Sequence, residues 1–123
     1  MADRLCALCG SGHWEQAMRD LYAEEARHVE GMAMPGSPWG RIIEGKGNLL
    51  KMSEEWNRTT TVHSSKVGQP LVNGDQFLVE MTLDCTSSEG PMAGQRMTMS
   101  EQALYTVRGG KIVEAKFFYP GCA

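Results

Sequence analysis

The sequence predicts an α+β fold, a cone-shaped roll in which N-terminal helices pack on a strongly curved, mainly antiparallel sheet. Three long segments of alternating apolar and polar residues, 76–86, 97–108 and 111–119, follow a helical start. The last two segments are joined by Arg108-Gly109-Gly110, and glycine accepts the positive φ of a tight hairpin. Such a cone must be filled by side chains or by a ligand.

Three helices are predicted, over residues 4–10, 14–22 and 48–58. The apolar residues of the second helix recur at i, i+3, i+4, i+7 and i+8, which is one helix face: Trp14, Ala17, Met18, Leu21 and Tyr22. Asn48 is the predicted N-cap of the third helix. The apolar helix faces should cover the sheet.

Shorter strands are predicted in the first half of the chain. They cover residues 26–32, 41–44 and 59–67, the last of which is rich in threonine and valine. A loop is expected at residues 34–38, because its two prolines remove hydrogen-bond donors and fix φ. With 123 residues, the chain should form a single domain, residues 1–123.

Composition excludes several function classes. The net charge is −3 and the basic residues form no stripe, so a nucleic-acid partner is not expected. No apolar run approaches the roughly 20 residues that cross a bilayer, and the N-terminus lacks a secretory pattern, which predicts a cytoplasmic protein with no membrane partner. No phosphate loop, nucleophile elbow or nucleotide fingerprint occurs, so no cofactor is expected.

The four cysteines permit two interpretations. Cys6-Ala7-Leu8-Cys9 has the spacing of a redox pair, but it lies within a segment with an apolar face, where cysteines act as small buried hydrophobes. Reduced, dispensable thiols are the prediction. No metal site is predicted, because Cys85 and Cys122 are single and the histidines lack paired zinc-ligand spacing.

Several phrases carry a family resemblance when taken in order. They are Leu21-Tyr22-Ala23-Glu24-Glu25-Ala26, Ile43-Glu44-Gly45-Lys46, Gly74-Asp75-Gln76-Phe77, and Glu101-Gln102-Ala103-Leu104-Tyr105-Thr106-Val107 before Gly110-Lys111-Ile112-Val113. Their order and spacing resemble the SnoaL-like branch of the nuclear transport factor 2-like superfamily. The resemblance implies a cone with a pocket and a homodimer packed sheet on sheet. The family includes ketosteroid isomerases, polyketide cyclases and dehydratases, so fold alone does not settle function.

The resemblance also implies residue roles. The general base of the ketosteroid isomerases aligns with Glu30, so a carboxylate is retained. The two oxyanion-hole donors of these isomerases align with Leu5 and Ala103, neither of which can donate a hydrogen bond. The catalytic aspartate of the cyclases has no aspartate counterpart, because the last two strands offer only Glu101 and Glu114.

Alternation in the penultimate strand assigns its inward face. Met97, Met99, Glu101, Ala103, Tyr105 and Val107 share the apolar side. Glu101 should then be desolvated, which would raise its pKa and suit a general acid or base. The alternative is a glutamate near a strand end or paired with an arginine or lysine.

The same reasoning applies to the last strand. It predicts an inward face and an outer face: Val113, Ala115, Phe117 and Tyr119 inward, with Ile112, Glu114, Lys116 and Phe118 outside. Ile112 and Phe118 would be exposed together, which favours a homodimer through this outer face. Tyr119 either carries a donor to the cone mouth or fills the core.

His28 and Glu30 share one face of the first strand, so His28 could orient Glu30 or shuttle a proton, unless both form a hydrated surface pair. The predicted catalytic residues are therefore Glu30, His28, Glu101 and Tyr119. Trp39 is a predicted mouth residue, and His63 is either a pocket residue or a structural one. The full set of predicted pocket-lining residues is Tyr22, Trp39, His63, Met99, Tyr105 and Phe117.

Two functions fit these residues. The first is a cofactor-independent isomerase, cyclase or dehydratase that binds a small hydrophobic or carbonyl-bearing molecule and uses a carboxylate base. The second is a non-catalytic ligand-binding or dimeric assembly module, in which the cone is merely packed. The inward carboxylates favour the first, and the missing oxyanion donors favour the second.

Overall fold

The computed structural model describes residues 1–31, 39–90 and 93–120. The predicted loop at 34–38 and Cys122 lie outside the described residues. The described residues form three helices, α1 (Ala2–Gly10), α2 (Trp14–Leu21) and α3 (Lys46–Thr59). No helix within the described residues is long and apolar enough to cross a membrane.

The helix α3 begins two residues earlier than its sequence predicted. Gly45, not Asn48, is the N-cap, and its φ of +92° is one that glycine adopts without strain. The side-chain amide of Asn48 instead donates to the carbonyl oxygen of Glu44 at 2.9 Å. The capping role predicted for Asn48 was therefore wrong, although the helix itself is confirmed.

Seven strands of the described residues form one sheet. They are β1 (Tyr22–Val29), β2 (Ile42–Glu44), β3 (Thr60–Val67), β4 (Leu71–Asn73), β5 (Gln76–Ser87), β6 (Arg96–Arg108) and β7 (Lys111–Phe118). The strand order is β2-β1-β7-β6-β5-β3, with β4 paired to β5. Among these strands only β1 and β7 pair in parallel, so the predicted α+β cone with a mainly antiparallel sheet is confirmed.

The strand β1 starts four residues earlier than predicted. Tyr22 was assigned to the second helix, but it caps that helix with φ −88° and ψ 141°, which is extended backbone. The chain therefore passes from α2 into β1 without a connecting loop. Strand β1 also ends at Val29, before the predicted limit of residue 32.

The core lies between the helices and the sheet face that they cover, here called the inner face. Leu5, Leu21 and Leu49 are buried on the helix side. Val79 and Ala103 are buried on the inner face of the sheet. The hydrophobic effect of burying these side chains fixes how the helices sit on the sheet.

Ile112 corrects the predicted faces of the last strand. The pairing of β6 with β7 shifts by one residue between Thr106 and Val107, so that Val107 pairs with Ile112. The extra residue in β7 reverses the alternation of its side chains at this point, so the side chain of Ile112 lies on the inner face and is 0% exposed. The prediction that Ile112 lies outside was wrong, whereas Phe118 is 46% exposed on the outer face.

Candidate active site at the mouth of the cone

The backbone of Glu30 is fixed where β1 ends. The N–H of Glu30 donates to the carbonyl oxygen of Arg41 at 2.7 Å, and Nε of Arg41 donates to the carbonyl oxygen of Glu30 at 3.2 Å. On the opposite side of β1 from β2, Arg27 on β1 forms an ion pair with Glu114 on β7, with an N–O distance of 2.8 Å. The contacts with Arg41 hold the end of β1 beside the start of β2, and the ion pair, together with the pairing of Val29 with Lys116, holds it beside β7.

Tyr119, directly after β7, reaches Glu30 across this junction. Its hydroxyl donates to Oε2 of Glu30 at 2.9 Å. The β6–β7 pairing joins Gln102 to Phe118 and Ala103 to Phe117, and one further step in this register places Glu101 opposite Tyr119. The hydroxyl of Tyr119 also lies near Glu101, where it favours the ionised form of that carboxyl group. Glu30, Glu101 and Tyr119 are named the mouth cluster here.

Burial changes the acidity of the mouth cluster. Desolvation raises the pKa of Glu101 to about 7, against the effect of the nearby hydroxyl of Tyr119, and the charge of Glu30 raises it further. Desolvation also raises the pKa of Glu30, while the hydrogen bond from Tyr119 lowers it. Burial raises the pKa of Tyr119, so its hydroxyl stays protonated as a donor. The cluster therefore combines two carboxyl groups whose charged forms burial disfavours with a phenol that can donate a hydrogen bond.

His28 belongs to a second polar group, deeper in the fold. Its Nε2 is hydrogen-bonded to the hydroxyl of Tyr22 at 2.8 Å, and its ring meets the ring of Phe117 edge-on at 4.9 Å. His28 is 3% exposed, and desolvation lowers its pKa to about 3. Within the described residues its Nδ1 has no hydrogen-bond partner. Tyr22 and His28 are named the deep pair here.

The deep pair corrects one expected contact. His28 was predicted to orient Glu30, but its hydrogen bond is to Tyr22. Glu30 is oriented by Tyr119 instead. His28 is buried and neutral, so the alternative of a hydrated surface pair with Glu30 is also wrong.

A groove opens beside the mouth cluster. It has a volume of about 290 Å³ and is lined by Val29, Glu30, Gly31, Arg41, Lys116, Phe117, Phe118 and Tyr119. Phe117 is thus the predicted pocket residue that borders this groove. A second cavity of about 290 Å³ lies on the helix side near Trp14 and Asn57, and none of the predicted site residues lines it.

The remaining predicted pocket residues lie elsewhere. Tyr105 is buried against Phe77, with ring centroids 4.9 Å apart, and Met99 contacts the Sγ of Cys85 at 3.8 Å. Trp39 is half-buried and packs against the core. His63 is exposed, and its Nε2 is hydrogen-bonded to Thr86 at 2.8 Å, so the prediction that it lines the pocket was wrong.

Sequence reasoning missed Gly31. A Cβ atom at this position would lie 2.8 Å from Cδ2 of Tyr119, which is too short unless the ring moves, and 3.3 Å from the carbonyl oxygen of Phe117, which is a tight contact. The available signal was a glycine directly after the candidate base. Arg41 and Lys116 were also missed as groove residues, because they approach Glu30 only through strand pairing.

The described residues contain no group of three or more His, Cys, Asp or Glu side chains that could hold a metal ion. The mouth cluster has instead two carboxyl groups and a phenol. These groups can move protons, hold a hydroxyl or carbonyl group, or do both.

Comparison with known proteins places the chain in a family. Residues 1–119 match the model of the SnoaL-like domain, and the chain belongs to this family. A candidate SnoaL-like polyketide cyclase from Mesorhizobium loti is similar in structure, with 34% identity, a TM-score of 0.85, and coverage of 96% of this chain and 95% of that chain. No protein of curated function matches.

More distant structures share the fold alone. A candidate polyketide cyclase from Pseudomonas putida has 20% identity and a TM-score of 0.69, over 96% of this chain and 87% of that one. A protein from Catenulispora acidiphila with a ketosteroid isomerase-like fold, solved with trimethylamine, has 13% identity and a TM-score of 0.67, over 94% and 81%. The resemblance to the SnoaL-like family inferred from the sequence is confirmed.

Proposed function

We propose that this protein is a cofactor-independent enzyme that removes a proton next to a carbonyl group of a small hydrophobic molecule, with Glu30 as the general base. The supporting observation is the 2.9 Å hydrogen bond from the hydroxyl of Tyr119 to Oε2 of Glu30, beside an open groove. This reaction class includes isomerisation, cyclisation and dehydration. The Mesorhizobium loti relative, named as a candidate polyketide cyclase, agrees with this class.

The environment of Glu30 suits a base. The hydrogen bond from Tyr119 favours the ionised carboxylate, whereas partial burial raises its pKa and so strengthens it as a proton acceptor. The rings of Phe117 and Tyr119 provide an apolar wall for the substrate. A volume of about 290 Å³ fits a compact molecule.

The steroid-type mechanism is not proposed. Leu5 and Ala103, which align with the oxyanion donors of ketosteroid isomerases, are both buried in the core and have no side-chain donor. A substrate oxygen must therefore find its donor elsewhere. Within the mouth cluster, the hydroxyl of Tyr119 lines the groove and can take that role by exchanging its hydrogen bond to Glu30 for one to the substrate.

The probe 5-nitrobenzisoxazole tests the base without knowledge of the natural substrate. Removal of its C–H proton breaks the ring N–O bond and releases an absorbing phenolate. Glu30→Gln should lower the rate at pH 7 by about 100-fold or more, because the amide cannot accept the proton. Glu25→Gln is the matched control, since Glu25 is an exposed carboxylate of β1, the strand that Glu30 follows. Equal rates in wild type and Glu30→Gln would show that Glu30 is not the base.

A non-catalytic ligand-binding module is the second candidate. Tyr22 and Tyr105 are both buried in the hydrophobic core, so side chains fill that part of the cone. In this case Glu30→Gln would alter ligand affinity without any change in the probe reaction.

The Phe118 ring, 46% exposed on the outer face, supports the related proposal of a homodimer. Light scattering that gives a monomer at micromolar concentration would contradict it.

We further propose a cytoplasmic location. Cys6, Cys9 and Cys85 are free thiols, which suits a reducing compartment. Fractionation of the producing cell, with immunodetection of the protein, is the direct measurement. Recovery with secreted or periplasmic proteins would contradict the proposal.

A further inference from the structure

The groove beside the mouth cluster carries two cationic side chains that the proposed reaction does not use. Arg41, directly before β2, and Lys116 on β7 both line the groove, and both are exposed. Within the described part of the chain neither forms an ion pair, whereas most of the arginines do: Arg4, Arg19, Arg27, Arg58 and Arg96. A cation that has no carboxylate partner of its own is available to an anionic ligand.

Each of these two cations is positioned by another residue of the groove. Nε of Arg41 donates to the carbonyl oxygen of Glu30 at 3.2 Å, and within the described residues this is its only side-chain hydrogen bond, so both terminal guanidinium nitrogens can donate to a ligand. Nζ of Lys116 lies 5.7 Å from the centroid of the Phe118 ring, a cation–π distance. The two charges are therefore fixed to opposite walls of the groove, one by β1 and one by β7.

The charges of the groove favour an anion with a single charge. Glu30 is the one carboxylate among the described residues that line it, and it accepts a hydrogen bond from Tyr119. Glu114, near Lys116 on β7, is already neutralised by Arg27 at 2.8 Å. Two cations and one ionised carboxylate leave a single positive charge, which a carboxylate ligand balances and a phosphate dianion exceeds.

The rest of the groove is apolar enough to select the body of that ligand. Val29, Phe117 and Phe118 line it together with the charged residues. Its volume of about 290 Å³ fits a compact molecule. The planar guanidinium group binds a carboxylate through two parallel hydrogen bonds, so a ligand with one carboxylate end and one apolar end matches both parts of the groove.

We propose that Arg41 and Lys116 form an anion subsite of the groove, and that its ligands are small carboxylic acids with an aromatic or aliphatic body. Arg41 holds the carboxylate through its terminal nitrogens, and Lys116 adds a second positive charge. That such a ligand is also the substrate, as a carboxylic acid with a second carbonyl group, rests on the proposed function. The binding of the carboxylate does not, because it depends on the two cations and not on Glu30 as a base.

Calorimetric titration with benzoate and with benzamide tests the subsite, because the two probes are nearly equal in size and differ in charge. The wild-type protein should bind benzoate about tenfold more tightly than benzamide, and added salt should weaken benzoate binding alone. Arg41→Gln should remove about tenfold of the benzoate affinity, and Lys116→Gln several-fold, because an ammonium group acts as a single point charge. Arg108→Gln is the matched control, since Arg108 is exposed and lacks an ion pair but lies outside the groove. It should bind both probes as the wild type does.

Benzamide also separates loss of the charge from damage to the strand end. Arg41 is hydrogen-bonded to the backbone of Glu30, so a variant that merely distorts this junction would lose affinity for both probes by the same factor. That result would overturn the role of Arg41. In the proposed subsite only benzoate affinity falls, and Arg41→Lys recovers part of it because the positive charge is retained.

Three further results would overturn the inference. Equal affinities of the wild-type protein for benzoate and benzamide would show that charge is not recognised. Failure to bind benzoate at concentrations up to about 10 mM would show that the two cations form no subsite. Phenyl phosphate that binds about tenfold more tightly than benzoate would show that the groove selects a phosphate group and not a carboxylate.

The subsite and the proposed function can fail separately. Benzoate binding that depends on Arg41, together with a normal benzisoxazole reaction in Glu30→Gln, would keep the subsite and reject the proposed function. Benzoate binding that does not depend on Arg41, together with a reaction that is lost in Glu30→Gln, would reject the subsite and keep Glu30 as the base.

Discussion

The deep pair and the mouth cluster are both polar groups taken out of water, yet burial acts on them with opposite results. Burial keeps His28 a neutral base, with its pKa lowered to about 3, and it keeps Glu101 a neutral acid up to about pH 7. The charged form is disfavoured in each case. Of the two groups, only the mouth cluster has a side chain with a pKa near neutral, Glu101, and only the mouth cluster contributes residues to the groove, Glu30 and Tyr119. The proposed reaction is therefore assigned to the mouth cluster, and the deep pair is expected to stabilise the fold.

The contrast also has a geometric origin on β1. His28 and Glu30 are two residues apart on one face, but β1 ends at Val29. His28 is thus inside the sheet, covered by Phe117, whereas Glu30 lies just past the strand end. One pleat repeat, about 7 Å of chain, separates a fully buried site from one that a small molecule can reach.

The largest expected effect tests the deep pair by acid unfolding. The folded-state pKa of His28, about 3, is below its unfolded value of 6.5, so the folded state binds fewer protons and stability is lost as pH falls from 6.5 to 3. The loss is at most roughly 4 kcal/mol. His28→Gln can still hydrogen-bond to Tyr22 but cannot gain a charge, so its unfolding free energy should vary less with pH in this range. Urea unfolding at pH 7, 5 and 4 measures this.

His63→Gln is the control for that experiment, because His63 is exposed on the outer face. It should retain the acid sensitivity of the wild-type protein. The unfolding free energy of His28→Gln could instead depend on pH as that of the wild type does. In that case His28 is not the group that makes the folded state bind fewer protons, and the contrast between the deep pair and the mouth cluster is smaller than the structure indicates.

A smaller effect of opposite sign is expected at the mouth. The folded-state pKa of Glu101, about 7, is above its unfolded value of 4.5, so the folded state binds more protons and stability falls as pH rises from 4.5 to 7. Glu101→Gln removes this loss. Its unfolding free energy relative to wild type should therefore rise by roughly 3 kcal/mol between pH 4.5 and pH 8.

Denaturant unfolding of Glu101→Gln and of Glu80→Gln at both pH values gives the comparison. Glu80 is exposed on β5, so its variant should follow the wild type. A constant difference between Glu101→Gln and wild type would mean that Glu101 ionises as easily in the folded as in the unfolded protein.

The smallest expected effect concerns the two cysteines of α1, which cover the interior near both polar groups. Cys9 is 7% exposed and packs in the core, whereas Cys6 is half-buried. Cys9→Ala should cost about 1 to 2 kcal/mol of unfolding free energy, and Cys6→Ala less, because the smaller side chain leaves a gap only where packing is dense. Neither variant should change the rate of the probe reaction. Thermal unfolding measures the loss of stability, and the benzisoxazole assay measures the rate.

Local pattern was sufficient for much of the fold. Alternation assigned Glu101 and Tyr105 to the inner face of β6, and the hairpin at Gly109 and Gly110 formed with φ of +60° and +79°. Free thiols at Cys6 and Cys9 were predicted and are confirmed. These features depend on neighbours within a few residues, which a sequence displays directly.

The wrong predictions are those in which pairing between distant strands or contacts in the folded chain override a local sequence pattern. A single bulge reversed the assignment of Ile112, because period-two counting has no means of detecting an inserted residue. The polar partner of His28 was misassigned, because Glu30 is nearer in sequence but Tyr22 lies beside the ring. His63 was predicted to line the pocket, which was wrong; the pairing of β3 with β5 also shifts at this residue, between Val62 and Ser64.

The sequence by itself determined the class of fold, the family, and the residue types able to move a proton. Tertiary structure alone decided which of them meet. Tyr119 and Glu30 are 89 positions apart, and they touch because β1 pairs in parallel with β7. Backbone hydrogen bonding between distant strands sets that register, and the space above Gly31 then admits the tyrosine ring, which no local pattern can specify.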